Sequence, residues 1–296
     1  MNNATIIKDE NIIDMRDYKE KKEKMKRAKK EYKKLKNIKK TAANHALCLI
    51  LILIISEIIM FLFIQPHTGI SEFLAHEICM ALTAFSGIIL PRVYSNVKLS
   101  ERASIRKLDI LTIAILTVAA YCGPELVDNI SGFLLSHIMT VEPNETESNT
   151  ITSVIGAVVC APIFEELICR FGFMELTRRQ FSAPFVIMFS SFLFTILHSY
   201  NIQGLLNVFT SAIMIGIVYY YTRNIFLTIG EHAIHNSLCC IIPEDFSLFG
   251  TPIYSHHNGF VLSSTVWIVL NAVLFIISAV VFVKYFVPKY MKKNKK

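Results

Sequence analysis

The sequence predicts an all-α, polytopic membrane bundle of about eight transmembrane helices with cytoplasmic N- and C-termini, and three observations carry that expectation. Of 296 residues, 53% are apolar and 18% charged, with a mean hydropathy of +0.47, too apolar for an ordinary soluble domain. Eight apolar stretches approach the ~20 residues needed to cross ~30 Å of hydrocarbon. All 30 Lys and Arg residues fall in 1–40, 92–107, 170–179, at Arg223 and in 284–296, and two apolar stretches separate each group from the next.

Residues 1–43 read as a basic cytoplasmic tail, since 16–40 hold 14 basic and four acidic residues. A basic helix abutting a span is an orientation signal that rests on anionic lipid headgroups. Nucleic acid is the weaker reading of such a run, and no nucleic-acid partner is expected. The first apolar run begins at residue 44 and is long enough to span, so no cleavable signal peptide is expected. The spans are expected at 44–65, 72–91, 108–123, 151–170, 184–200, 204–222, 225–242 and 261–287. Together they form a transmembrane domain, 44–287, followed by a basic tail, 288–296. The third is placed short because Gly123-Pro124 reads as a break. Segment 129–140, apolar but too short to cross, is expected as an outer-surface or re-entrant piece. The positive-inside rule puts the basic clusters on the cytoplasmic side and the loop with Glu142, Glu145 and Glu147 outside. Seven cysteines without CxxC spacing argue against a disulfide framework or a zinc knot.

Ionisable groups inside a bilayer are costly, so they mark the places to look for function. The strongest set is Glu165-Glu166-Leu167-Ile168-Cys169-Arg170. Glu166 and Arg170 have the favourable order for an ion pair four residues apart. Glu165, turned about 100° from Glu166, faces a different neighbour and stays free to act as acid or base. Glu165 lies 13 residues before Arg178 and His198 lies 14 beyond Pro184, so each sits about 20 Å from the inner end of its helix. His232 and Asn236 share one face of the seventh span, about 10 and 16 Å from Ile225. The bland alternatives are that Glu165, Glu166 and Arg170 anchor a helix end, and that an intramembrane His or Asn is interhelical glue. Glu231 and His235 are expected to be supporting residues. His76-Glu77 does not complete an HExxH zinc signature because position 80 is Met80, and Gly-rich phosphate loops and the GxSxG elbow are absent.

Glu165-Glu166-xxx-Arg170, Phe194-xxx-His198 and His232-xxx-Asn236, each in its own span and in this order, resemble the CPBP family. These are the CAAX prenyl proteases and bacteriocin-processing intramembrane endopeptidases, also called Abi proteins. The likeness covers roughly 150–240. It implies an eight-helix membrane fold with a cavity open to cytosol and membrane, in which peptide bonds are hydrolysed. It also implies that Glu165 and His198 activate water, that His232 and Asn236 support the oxyanion, and that Glu166 and Arg170 shape the site. Amide and imidazole donors are most effective on a developing oxyanion in a low dielectric. A glutamate with two histidines could instead hold zinc with an open position, so a metal-free glutamate mechanism is favoured and zinc is the alternative cofactor.

The resemblance implies as substrate a peptide or a prenylated or otherwise membrane-anchored protein. Lys-, Ile- and Asn-rich usage points to a bacterial plasma membrane and to peptide maturation, bacteriocin processing or immunity. A eukaryotic source would point to the endoplasmic reticulum and CAAX cleavage, with Asn144-Glu145-Thr146 as a lumenal sequon. A Glu/His-dependent transporter and a non-catalytic immunity protein are the competing classes.

Overall fold

Charge pairing and apolar length together build the first helix of the structure, a computed structural model that describes residues 15–104, 109–143, 150–242 and 246–291. The sequon at Asn144, Glu145, Glu147 and the basic residues in 1–14, 105–108 and 292–296 lie outside the described residues. Helix α1 (Met15–Ile59) starts as a charged stem in which Glu20 pairs with Lys24 at 2.7 Å and Glu23 with Arg27 at 3.9 Å, each four residues on. Its apolar part continues through a π-helical turn, so that Asn44–Thr68 is one span. Only 11% of its 18-residue apolar window is buried, which leaves α1 at the rim of the bundle. Helix α2 (Glu72–Ser95) is capped by Ser71, whose hydroxyl accepts the Leu74 N–H, and ends at left-handed Asn96. Imidazole Nδ1 of His76 lies 3.1 Å from Glu57 Oε1 and pins α2 to α1.

Helix α3 (Ile110–Ser136) differs from the expectation of a span at 108–123 with a separate piece at 129–140. Gly123-Pro124 does not break it. Pro124 cannot donate to the Ala120 carbonyl, and the Ser211 hydroxyl donates to that carbonyl instead, at 2.8 Å. At Gly123 a β carbon would stand 2.7 Å from Met214 Cε and 2.9 Å from Phe275 Cε2. The Gly-Pro pair is therefore a close-packing point against two other helices rather than a turn. Residues 129–136 simply prolong α3.

Helix α4 (Ile151–Thr177) contains two π-helical stretches, Gly156–Cys160 and Leu167–Met174, on either side of Ala161–Glu166. Helix α5 (Ala183–Thr195) has Pro184 in its first turn, where a missing N–H costs nothing. Helix α6 (Ile202–Thr222) is capped by Asn201, whose Oδ1 accepts from Gln203 and Gly204. Helix α7 (Ile225–Ile241) leads to two small antiparallel hairpins, β1 (Ser247–Leu248) with β2 (Thr251–Pro252) and β3 (Tyr254–His257) with β4 (Phe260–Ser263). The last helix, α8 (Thr265–Phe286), is capped by Ser264 and starts after the hairpin that takes up the expected beginning of the eighth span at 261.

Six of these helices are long and apolar enough to cross a membrane, so the chain is an integral, multi-pass membrane protein with a helical bundle. The expected spans 184–200 and 225–242 are helices of 13 and 17 residues, about 20 and 26 Å long. Both fall short of ~30 Å of hydrocarbon. In α5 the reason is the backbone: the amides of Leu197 and His198 bond the carbonyls of Phe194 and Thr195, three residues back, which tightens and closes the helix. Helix α4 is central, with Ile168, Phe171, Phe173 and Met174 buried against Ala84, Val186, Phe194 and Ala212. A β carbon at Gly87 would stand 2.9 Å from the Leu167 carbonyl, so α2 and α4 approach backbone to backbone.

Candidate active site

Proline chemistry shapes the stretch that carries the glutamates. In the π-helical turn the Ala161 amide bonds the Gly156 carbonyl, five residues back. The next donor in that register would be residue 162, and Pro162 has no N–H to give to Ala157. The orphaned Ala157 carbonyl is taken by the Asn236 amide nitrogen of α7, at 2.7 Å. Asn236 thus closes a helix defect, and its amide lies about two turns along α4 from Glu165.

One turn inward along α7, His232 stands between the two glutamates. Its Nε2 is 3.9 Å from Glu165 Oε2 and its Nδ1 is 3.5 Å from Glu166 Oε1. Arg170 Nε lies 3.4 Å from Glu166 Oε2, the ion pair expected four residues apart. Both members of that pair are fully buried. Arg170 Nη2 also donates to the Ala212 carbonyl of α6 at 3.2 Å, and its guanidinium lies 4.6 Å over the Phe194 ring. The arginine is thereby committed to Glu166, α6 and α5. Glu165 is 7% exposed, and its Oε2 has no hydrogen-bond partner among the described residues.

Phe194 is the hub on α5. Its ring centroid is 5.4 Å from that of His232 and 5.1 Å from that of His198. His198 sits in the closing turn of α5, with Nδ1 3.0 Å from the Phe194 carbonyl. A carbonyl can only accept, so Nδ1 donates and the neutral ring carries its lone pair on Nε2. The structure thus joins Glu165, Glu166, Arg170 and His232 directly, brings His198 in through Phe194, and sets Asn236 one turn away on α7. Among the described residues no three His, Cys, Asp or Glu side chains converge as a metal ion requires. The zinc alternative therefore lacks a ready-made ligand set.

Two carboxylates add to what the sequence singled out. Glu231, expected only as support, is fully buried beside Arg170 and Glu166, with both oxygens unpartnered among the described residues. Glu77, noted in the sequence only for an incomplete HExxH signature, lies close enough to Glu165 and Cys160 to interact electrostatically with them. Its helical position was visible in the sequence, but the facing of α2 towards α4 was not.

Residues 147–238 match the family described as Rce1-like, type II CAAX prenyl endopeptidase. The match covers about a third of the chain and supports the CAAX-protease likeness that the three motifs carry. The matched segment runs from just before α4 to near the end of α7 and contains all six residues singled out above. Neither the curated proteins nor the solved structures gave a match.

Proposed function

We propose that the chain is a CAAX-type protease that hydrolyses a peptide bond of a membrane-associated peptide or protein with water activated by Glu165 and His198. The observation that carries the reading is the division between the paired glutamates. Arg170 lies 3.4 Å from Glu166, while Glu165 has no arginine ion pair among the described residues and faces His232 at 3.9 Å. In the reaction Glu165 takes a proton as the water oxygen bonds the scissile carbon, and the carbonyl electrons move onto its oxygen. The C–N bond then breaks as the proton passes from Glu165 to the leaving amine, and the new carboxylic acid loses its proton to water to leave a carboxylate. His198 Nε2 holds the attacking water, His232 supports the oxyanion, and Asn236 contributes the amide hydrogen not bonded to Ala157. Glu166 and Arg170 position His232.

The basic clusters favour cytosolic termini, and on that reading the site faces the cytosol. The favoured substrate is a secreted-peptide precursor in a bacterial plasma membrane, a maturation or bacteriocin-processing role. The competing substrate is a prenylated C-terminal tripeptide at the endoplasmic reticulum.

The test is cleavage of both substrate types by the purified full chain and by Glu165→Gln, His198→Ala and His232→Ala. Glu165→Gln keeps the fold and loses at least about 100-fold in rate. Full cleavage by all three variants sinks the hydrolytic reading. A chelator leaves the wild-type rate unchanged; loss on chelation with recovery on adding zinc would replace the metal-free version with the metal one.

A further inference from the structure

The inner side of the bundle holds a basic trough that the reaction above does not use. A cavity of about 490 Å³ lies between the α1 stem and the inner ends of α2 and α4. Lys30, Lys33 and Lys34 line it from α1, at spacings that put them on one helical face. Thr41 and His45 continue the same face, and the His45 ring stacks on Tyr94 of α2 at 3.4 Å. Gln180, just past α4, forms the opposite wall. Arg179 adds a further cation at the rim, donating to the carbonyl of the lining residue Ser95. No carboxylate is among the described lining residues, and Glu20 and Glu23 of the stem are paired lower down with Lys24 and Arg27.

Such a concentration of cations calls for an anionic occupant, and length decides which kind. From Lys30 to His45 the trough follows 15 residues of helix, about 22 Å. That length matches roughly six or seven residues of extended chain. It exceeds the headgroup layer, which adds only about 6 Å to each side of the hydrocarbon. The apolar span begins at Asn44, so Lys34 lies ten residues, about 15 Å, beyond it along the stem.

We infer that this trough docks an acidic, extended peptide segment, the water-exposed flank of a membrane-associated substrate. The inference rests on the proteolytic reading for the word substrate, but the binding site stands without it. Gln180 and Leu176 of the trough lie at the inner end of α4, whose Glu165 is 11 residues, about 17 Å, further into the bundle. A chain held by the lysines at one end is thus aimed along α4 towards the glutamates.

The experiment measures binding without turnover. Full-length Glu165→Gln protein in micelles is titrated against a fluorescent Glu/Ser heptapeptide and its Gln/Ser analogue, at about 0.15 M ionic strength. The acidic peptide binds and the neutral one does not. K30Q/K33Q/K34Q weakens binding by about tenfold or more, while K24Q/K26Q/K29Q, with the same change in net charge, weakens it less than about threefold. K30R/K33R/K34R keeps the affinity. Equal losses in the two glutamine triples would show diffuse attraction and overturn the inference. So would binding of a soluble anionic phospholipid, and not of the peptide, with the same lysine dependence. Loss of the trough leaves cleavage by the wild type to be judged on its own, so the two readings fail separately.

Discussion

Removing the Arg170 guanidinium is the sharpest probe of how the site is held together. In Arg170→Met the fully buried Glu166 loses the cation 3.4 Å away, and the Ala212 carbonyl loses its side-chain donor. Breaking one side of a buried ion pair costs about 3–5 kcal/mol, because the remaining charge is neither solvated nor paired. The lost hydrogen bond to Ala212 and the lost contact over Phe194 belong to the same rearrangement, so their costs of about 0.5–1.5 and 0.5–2 kcal/mol do not simply add. The expected total is about 4 kcal/mol. Glu166→Gln/Arg170→Met, which removes both charges, recovers to within about 2 kcal/mol of the wild type, a coupling of at least about 2 kcal/mol. Arg170→Lys keeps the charge but not the planar fork, and loses about 1–2 kcal/mol. Unfolding by detergent titration in mixed micelles reads these differences through the one tryptophan, Trp267, which is buried and donates to Glu125. Additive single and double variants, with coupling below about 0.5 kcal/mol, would refute the argument that Arg170 exists to neutralise Glu166.

Three further outcomes follow from the same contacts. Asn236→Leu leaves the Ala157 carbonyl without a donor and costs about 1–3 kcal/mol. Adding Pro162→Ala restores a backbone N–H and regains about 1 kcal/mol in that background; an equal effect of Pro162→Ala in the wild type would show no link between the two. Ser211→Ala destabilises α3 by about 1 kcal/mol, and hydrogen exchange speeds up around Ala120 and Pro124 if that hydroxyl is what repairs the proline. At Asp109, burial raises the carboxyl, but hydrogen bonds from Lys289, Thr112 and Tyr290 outweigh it and hold it below its ordinary value of 3.8. Its stabilisation is therefore present above about pH 4 and fades as the pH falls towards the lower folded value. Asp109→Asn is expected to remove that slope; an unchanged acid limb in the unfolding curve would contradict it.

How much was legible can be judged from particular residues. The pairing of Glu166 with Arg170 follows from a spacing of four on one helix, and the structure shows that ion pair. The spans through Asn44–Thr68, Glu72–Ser95 and Ile202–Thr222 follow from apolar length, which needs no partner to be read. Gly123-Pro124 misled because a proline breaks a helix only when nothing replaces its missing donor, and the replacement, Ser211, is 87 positions away in the chain. The ends of α5 misled for a related reason: hydropathy counts apolar side chains, and Ile196 and Leu197 remain apolar after the helix has closed.

By itself the sequence determined the membrane class, the helical bundle and the three ordered motifs, since these depend on composition and on spacings within single helices. Only the tertiary structure decided which way each motif faces its neighbours. It put His232 between Glu165 and Glu166, made Phe194 the hub for both imidazoles, and drew Asn236 onto the carbonyl that Pro162 leaves bare. The reason is physical. In a medium without water a carbonyl freed by a proline needs a donor, and for Ala120 and Ala157 that donor lies on another helix, at a sequence distance no local pattern encodes.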